Sequence, residues 1–318
     1  MKIVILDAYT SNPGDLSWAK FEKLGELKVY ERTARDQILE RCRDAEIILD
    51  NKVVLDDEIL SQLPKLKYIG ILATGYNIVD VESAKKHGIT VCNVPTYSTA
   101  AVAQLTFALI LEFYNRVAVH DNAVHNGEWV SCKDFCFQKT PLIELTGKTI
   151  GIVGFGKIGN EVAKIANAFG MNILCSVHNP KPLPDYNSFR FVTLDELAEK
   201  SDIISFHCPL TAETTGLVNS EFISKMKSNA IIINTARGPI IDENALADAL
   251  NKGKIAGAAV DVLSCEPPKT DNPLLSCKNC IITPHIAWAG YETRVRLDVV
   301  YSNLKAFLDG KPINVVNR

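Results

Sequence analysis

Three residues whose side chains complement one another follow separate apolar runs. Arg237 comes after AIIINTA, Glu266 stands a few residues after GAAVDV, and His285 closes CIITPH. An Arg can grip a carboxylate with a two-pronged hydrogen bond, and a His can exchange a proton with an alcohol or ketone oxygen. A Glu beside that His can orient its ring and favour its charged form. Taken singly, each has a plain explanation: a surface ion pair, a loop charge, a satisfied histidine near the core. Taken together, they are the groups needed to reduce a 2-oxo acid. If the three runs are strands of one parallel sheet, their C-terminal ends line a common crevice where the three can converge.

The other chemical signal is Gly154-Phe155-Gly156-Lys157-Ile158-Gly159, directly after the run TIGIV and opening the helical pattern NEVAKIANAFG. Glycines at this spacing permit a tight turn, close approach of a pyrophosphate and tight helix packing, while the helix N-terminus offers N–H donors. The context predicts a dinucleotide site. An acidic residue about 20 positions on would bind the ribose hydroxyls of NAD. Val177, His178 and Asn179 occupy that region instead, and no Asp or Glu occurs before Asp185. With His178 and Lys181 as possible phosphate donors, the residues are compatible with NAD(H) or NADP(H).

The elements that must hold these groups form two series. At 318 residues the chain suits two domains. KIVILD, AEIILD, LKYIGIL and ITVCNV alternate with helical stretches, the first of them a charged region between KIVILD and AEIILD, which predicts a compact parallel α/β unit over residues 1–98. A long helix from Thr99 to Arg116 and a polar connector lead to a second series of six strands: TIGIV, NILCSV, DIISFH, AIIINTA, GAAVDV and CIITPHIA. That succession predicts a Rossmann-type doubly wound sheet over 99–287. Tyr291 to Leu308 reads as an amphipathic helix returning to the first unit, so 1–98 plus 288–318 is expected to form a smaller, discontinuous, flavodoxin-like domain.

Composition removes other classes. The chain is 47% hydrophobic and 22% charged, which excludes a disordered protein. A net charge of −3 offers no bulk basic face, so nucleic acid is not an expected partner. The N-terminal run is too short for a signal peptide, and Ala100–Leu111 too short for a membrane span. Nine scattered Cys suit reduced thiols and a cytoplasmic location. Cys277-Lys278-Asn279-Cys280 is a lone CxxC, and Cys132 with Cys136 has the wrong spacing to complete a zinc site, so no metal is expected. His207 reads as structural or cofactor-proximal.

The blocks ATGYNIVD (73–80), NVPTYSTAAVAQ (93–104), DFCF with PLIEL (134–145), GFGKIG, FHCPLTAETTGLVN (206–219), NTARGPIIDENAL, AAVDV with EPP, and TPHIAW stand in order along the chain. In these it resembles the D-isomer-specific 2-hydroxyacid dehydrogenases over essentially its whole length, and is similar to their glycerate dehydrogenase (hydroxypyruvate reductase) branch in GYN, DFCF and PLIEL. The resemblance implies that His285 is the general acid in reduction, Glu266 its partner, and Arg237 the clamp on the substrate. It implies that backbone N–H groups around Thr74 and Gly75 cradle the substrate carboxylate, at an active site between two domains. Cys208, Pro209, Thr214, Thr235, Ala236 and Asp261 match cofactor-lining positions, Asp261 facing the nicotinamide amide. A homodimer is implied, joined through the nucleotide domain and the arm 99–145. Trp129, Phe135 and Phe137 lie in the connector, where covering a neighbouring subunit's substrate pocket and plain interface packing explain them equally well. Two departures stand out: the usual acid is missing at Val177, and Gln104 replaces a common acidic residue. The rival readings are a lactate-like or phosphoglycerate-like substrate, or a cofactor-sensing protein akin to the corepressors of the same superfamily.

Overall fold

The computed structural model describes residues 1–179, 181–295 and 298–318. The chain divides into two compact units, Met1–Ser98 with Ala289–Arg318, and Thr99–Trp288.

In the first unit, β1 (Lys2–Ile5), β2 (Glu26–Val29), β3 (Ile47–Asp50), β4 (Tyr68–Ile71) and β5 (Thr90–Cys92) pair in the order β2-β1-β3-β4-β5. Every pairing is parallel. β3 and β4 are buried at all positions, as expected of inner strands covered on both faces. β2 corrects the sequence reading, which took the whole stretch between β1 and β3 as helical. Its sequence ELKV carries two charges and lies exposed at the sheet edge, so it has no apolar run to announce it.

The final segment belongs to this unit. Helices span Tyr291–Val295 and Asp298–Leu308, and residues 296 and 297 of the expected 291–308 helix lie outside the described residues. The second helix buries Val300 and Leu304 completely and sets Phe307 against Tyr68, ring centroids 4.8 Å apart. Beyond it, Val315 bridges Cys92 of β5. At the C-terminal end of β1, Asp7 accepts hydrogen bonds from the backbone of Asn51 and Lys52. Asp50 at the end of β3 is fully buried; desolvation, then the charge of Asp7, holds its carboxyl well above the usual range.

The second unit holds seven parallel strands: β6 (Thr149–Val153), β7 (Asn172–Ser176), β8 (Phe189–Phe191), β9 (Ile203–Phe206), β10 (Ile231–Asn234), β11 (Gly257–Val260) and β12 (Cys280–Ile282). Their order is β12-β11-β10-β9-β6-β7-β8. Sequence reasoning found six; the seventh, β8, is a three-residue edge strand whose signal is too short to read. Along β10 the side chains alternate between two cores. Ile232 joins Phe206, Phe222 and Leu246 on one face, while Ile231 and Ile233 join Phe107, Ile110 and Val162 on the other. The helix Thr99–Asn115 thus covers a sheet face, which explains its apolar character. No single helix among the described residues is long and apolar enough to cross a membrane.

The strand order reverses at β6, which has β7 on one side and β9 on the other. In doubly wound sheets, ligands bind at such a switch point, outside the strand C-termini.

Candidate active site

The glycine turn sits at the switch point. Gly154 leaves β6 with φ +95°, and a side chain there would strike the backbone of His207 and Cys208 at the end of β9. Gly159 lies in the helix Lys157–Ala168, where a Cβ would meet the Gly154 carbonyl, so its absence lets the helix settle onto the turn. At Gly156 a Cβ would meet nothing. This residue is the helix N-cap and brings no side chain to satisfy the first-turn N–H groups, beside which Lys157 is exposed and Ile158 half-buried. Open space beside the N–H donors of a helix N-terminus fits a pyrophosphate, so the residues present suit a dinucleotide.

The contrast between two glycines yields a prediction. Gly156→Ala should fold as well as the parent, because its backbone is extended and its surroundings are empty. It should weaken dinucleotide binding by about tenfold or more, since the methyl group occupies the ligand's side of the turn. Gly154→Ala should instead lower the unfolding temperature, through positive φ and backbone collision. Nucleotide fluorescence titration and thermal melts check both. Equal affinity in Gly156→Ala would move the dinucleotide elsewhere.

His178 follows β7 and is exposed. The sequence suggested no acid here, yet Glu213 from the loop after β9 comes into its electrostatic range. Its carboxyl lies below the usual range, chiefly through the Thr211 hydroxyl at 2.7 Å, with His178 contributing. The same loop is braced from within, Thr214 Oγ1 donating to the Pro209 carbonyl at 2.7 Å. Cys208 is partly exposed, and burial raises its thiol. His207 keeps an edge at the surface, but the atoms crowded round its ring dominate. Desolvation pushes the imidazole down to about 3, so it is neutral at physiological pH, with Nε2 2.8 Å from Ser205 Oγ.

The three chemical residues follow β10, β11 and β12, which are neighbours in the sheet. After β10, Asn234 spans its own turn: Oδ1 accepts from Ala236 N at 3.0 Å, and Nδ2 donates to the Arg237 carbonyl at 2.9 Å. Thr235 is buried, its hydroxyl 3.1 Å from that of Thr106. Arg237 is exposed, one guanidinium N–H donating to the Ala236 carbonyl. Gly238 next to it abuts the backbone of Leu263 and Ser264 so closely that any side chain would overlap it. That neighbouring loop carries Glu266, whose Oε1 accepts from Leu263 N at 3.0 Å and whose Oε2 lies 2.6 Å from His285 Nδ1. A carboxylate only accepts, so Nδ1 carries the proton of this bond and Nε2 is left to exchange one with substrate.

Asp261 braces the loop that carries His285. It is 1% exposed, and its carboxylate is turned into the loop bearing His285. Oδ1 accepts from Thr283 Oγ1 at 2.6 Å and Ile286 N at 2.9 Å, and Oδ2 from Ala287 N at 2.9 Å. These bonds hold His285 in a left-handed conformation, φ +53°, that a non-glycine residue rarely adopts. Asn234, Gly238 and this duty of Asp261 escaped sequence reasoning; the blocks NTARG and AAVDV contain all three, but local pattern does not say what a side chain touches.

In the first unit, Thr74 and Gly75 follow β4. Thr74 is exposed, its hydroxyl donating to the Val94 carbonyl at 2.7 Å. Burial raises the thiol of Cys277 and pushes that of Cys280 up to about 12, which suits neither with a thiolate–metal bond. Among the described residues no three His, Cys, Asp or Glu side chains cluster as a metal site.

A glycine cradle at the switch point and a His–Glu pair at the same sheet's C-terminal side define a class, the nicotinamide-dependent α/β oxidoreductases. Residues 107–287 match the family model described as D-isomer specific 2-hydroxyacid dehydrogenase, NAD binding domain. The chain is 51% identical to the hydroxypyruvate reductase of Blautia hydrogenotrophica, all of both chains being covered. It is 39% identical to the glycerate dehydrogenase of Methylorubrum extorquens, over 99% of this chain and 98% of that one. The D-lactate dehydrogenase of Aquifex aeolicus, solved with NAD and lactic acid, superposes with a TM-score of 0.85 at 33% identity, covering 100% of this chain and 99% of that one. The chain belongs to the D-isomer-specific 2-hydroxyacid dehydrogenases. It is an enzyme that interconverts a small 2-oxo acid and the D-2-hydroxy acid with NAD(H) or NADP(H).

Proposed function

We propose that this enzyme is a hydroxypyruvate reductase, with glyoxylate as a second substrate. The observation that carries the chemistry is the 2.6 Å contact between His285 Nδ1 and Glu266 Oε2, which leaves Nε2 as the proton-exchanging atom. The full-length likeness to a hydroxypyruvate reductase supports the choice of substrate. When bound, the cofactor supplies the hydride that reduces the oxo carbon. His285 Nε2 gives the carbonyl oxygen its proton, Glu266 holds the ring through Nδ1, and Arg237 binds the carboxylate and oxo group. Backbone N–H groups at Thr74 and Gly75 take the carboxylate as well. Cys208, Pro209, Thr214, Thr235 and Ala236 line the cofactor, and Asp261 keeps the His285 loop in place.

The working form is a homodimer in the cytoplasm. Between the helix Thr99–Asn115 and β6, the arm turns apolar side chains outward, Val130 at 93% and Phe135 at 89% exposure. The backbone behind them is nonetheless fastened, Trp129 Nε1 donating to the Phe135 carbonyl at 3.0 Å. An ordered segment that displays large apolar groups suits a protein partner better than water, and a second copy fits the family likeness.

The test is to follow absorbance loss from NADH and NADPH in parallel with hydroxypyruvate, glyoxylate, pyruvate and phosphohydroxypyruvate, with light scattering for mass. Rapid oxidation with hydroxypyruvate supports the reading. Preference for pyruvate or phosphohydroxypyruvate, or cofactor binding without turnover, overturns it.

A further inference from the structure

The Thr74–Gly75 loop is fixed from behind by a chain of asparagines drawn from distant parts of the first unit. Asn93 Nδ2 donates to the Thr74 carbonyl at 2.7 Å, and Val94 N to the Ala73 carbonyl at 3.1 Å. Asn93 is itself clamped: its carbonyl accepts from Asn303 Nδ2 at 2.8 Å, and its N–H donates to the Asn314 carbonyl at 3.2 Å. Asn314 Nδ2 closes the set by donating to Asn303 Oδ1 at 2.8 Å. Asn303 is 1% exposed and Asn93 7% exposed, so water does not compete for these bonds.

A trans peptide points its C=O and N–H in opposite directions. Binding the Thr74 carbonyl inward to Asn93 therefore turns the Gly75 N–H outward. We infer that Asn93, Asn303 and Asn314 are positioning residues for substrate: they aim the Gly75 N–H at the carboxylate of the 2-oxo acid, and so make the C-terminal segment part of substrate recognition. The inference rests on the proposed reading of this loop as the carboxylate cradle. A purely structural network would stabilise the unit without affecting substrate. A positioning network instead affects an interaction made equally in the ground and transition states, which appears in KM and spares kcat.

The test compares the parent with Asn93→Ala and Asn314→Gly. The second removes only the amide donor, because Gly tolerates the φ of +55° at that position. The expected result for Asn93→Ala is a KM for hydroxypyruvate raised about tenfold or more, a kcat within about threefold, and unchanged NADH affinity. Asn314→Gly should show the same split, to a smaller degree. Oxamate binding to the NADH-saturated protein, followed by nucleotide fluorescence, should weaken in step with KM. If the parent turns over hydroxypyruvate and both variants keep its KM and oxamate affinity, or lose kcat and melting temperature alone, the positioning role is wrong while the functional reading stands. If Asn93→Ala does not fold, an unchanged KM in Asn314→Gly overturns the role by itself. A parent inactive on every 2-oxo acid overturns the functional reading and the inference with it.

Discussion

Replacing His285 with Ala is expected to lower turnover of hydroxypyruvate by about 10²–10⁴-fold, the usual worth of one positioned general acid. NADH should bind almost as before, because the glycine cradle follows β6 whereas His285 follows β12. The loss should appear in kcat and in kcat/KM alike, since the proton is delivered only as the oxygen gains charge. The fold should survive: the ring is partly exposed, and the loop around it is fastened by Asp261 through three bonds that do not involve the imidazole. Steady-state kinetics beside an NADH titration make the comparison. Turnover within tenfold of the parent would falsify the role given to His285 and leave the 2.6 Å pair as a structural contact.

Arg237→Lys is expected to reduce kcat/KM by about 10–100-fold although the charge is kept, corresponding to ~1.5–3 kcal/mol for hydrogen bonds to a charged group. The guanidinium is a rigid fork that matches a carboxylate with two parallel bonds, whereas an ammonium is a point charge on a flexible stem. The fork's base is already set, with Asn234 spanning the turn and Gly238 pressed against Leu263. Geometry of the head group, not placement of the backbone, is therefore what the substitution changes. The parent's melting temperature should be kept, as the side chain is exposed. Kinetics indistinguishable from the parent would assign the clamp to another residue.

Edge strands without an apolar run mark the limit of what could be read beforehand, whereas β5 and β12, also at edges, were legible. β6, β9 and β10 are Ile-rich runs that announce themselves because both faces are buried. β2 and β8 lie at sheet edges, where one flank meets water and polar residues are tolerated, so ELKV and FRF give no periodic signal. The site divides similarly. Gly154, Gly156 and Gly159 fall within six residues and are legible as a unit, since the turn they build is local. Asn93 and Asn303, or Asp261 and Ala287, are neighbours only after folding.

The succession of strands along the chain apart from β2 and β8, the glycine turn and the family itself were determined by the sequence alone, because each is written in neighbouring residues or in long ordered blocks. The tertiary structure decided the rest. It placed Glu266 against His285, set Gly238 against the backbone of Leu263, turned Asp261 into the His285 loop, and bound Asn93 to Asn303 across 210 positions. Such contacts depend on strand order and loop approach, which become defined only when the sheet is assembled and its cores have closed.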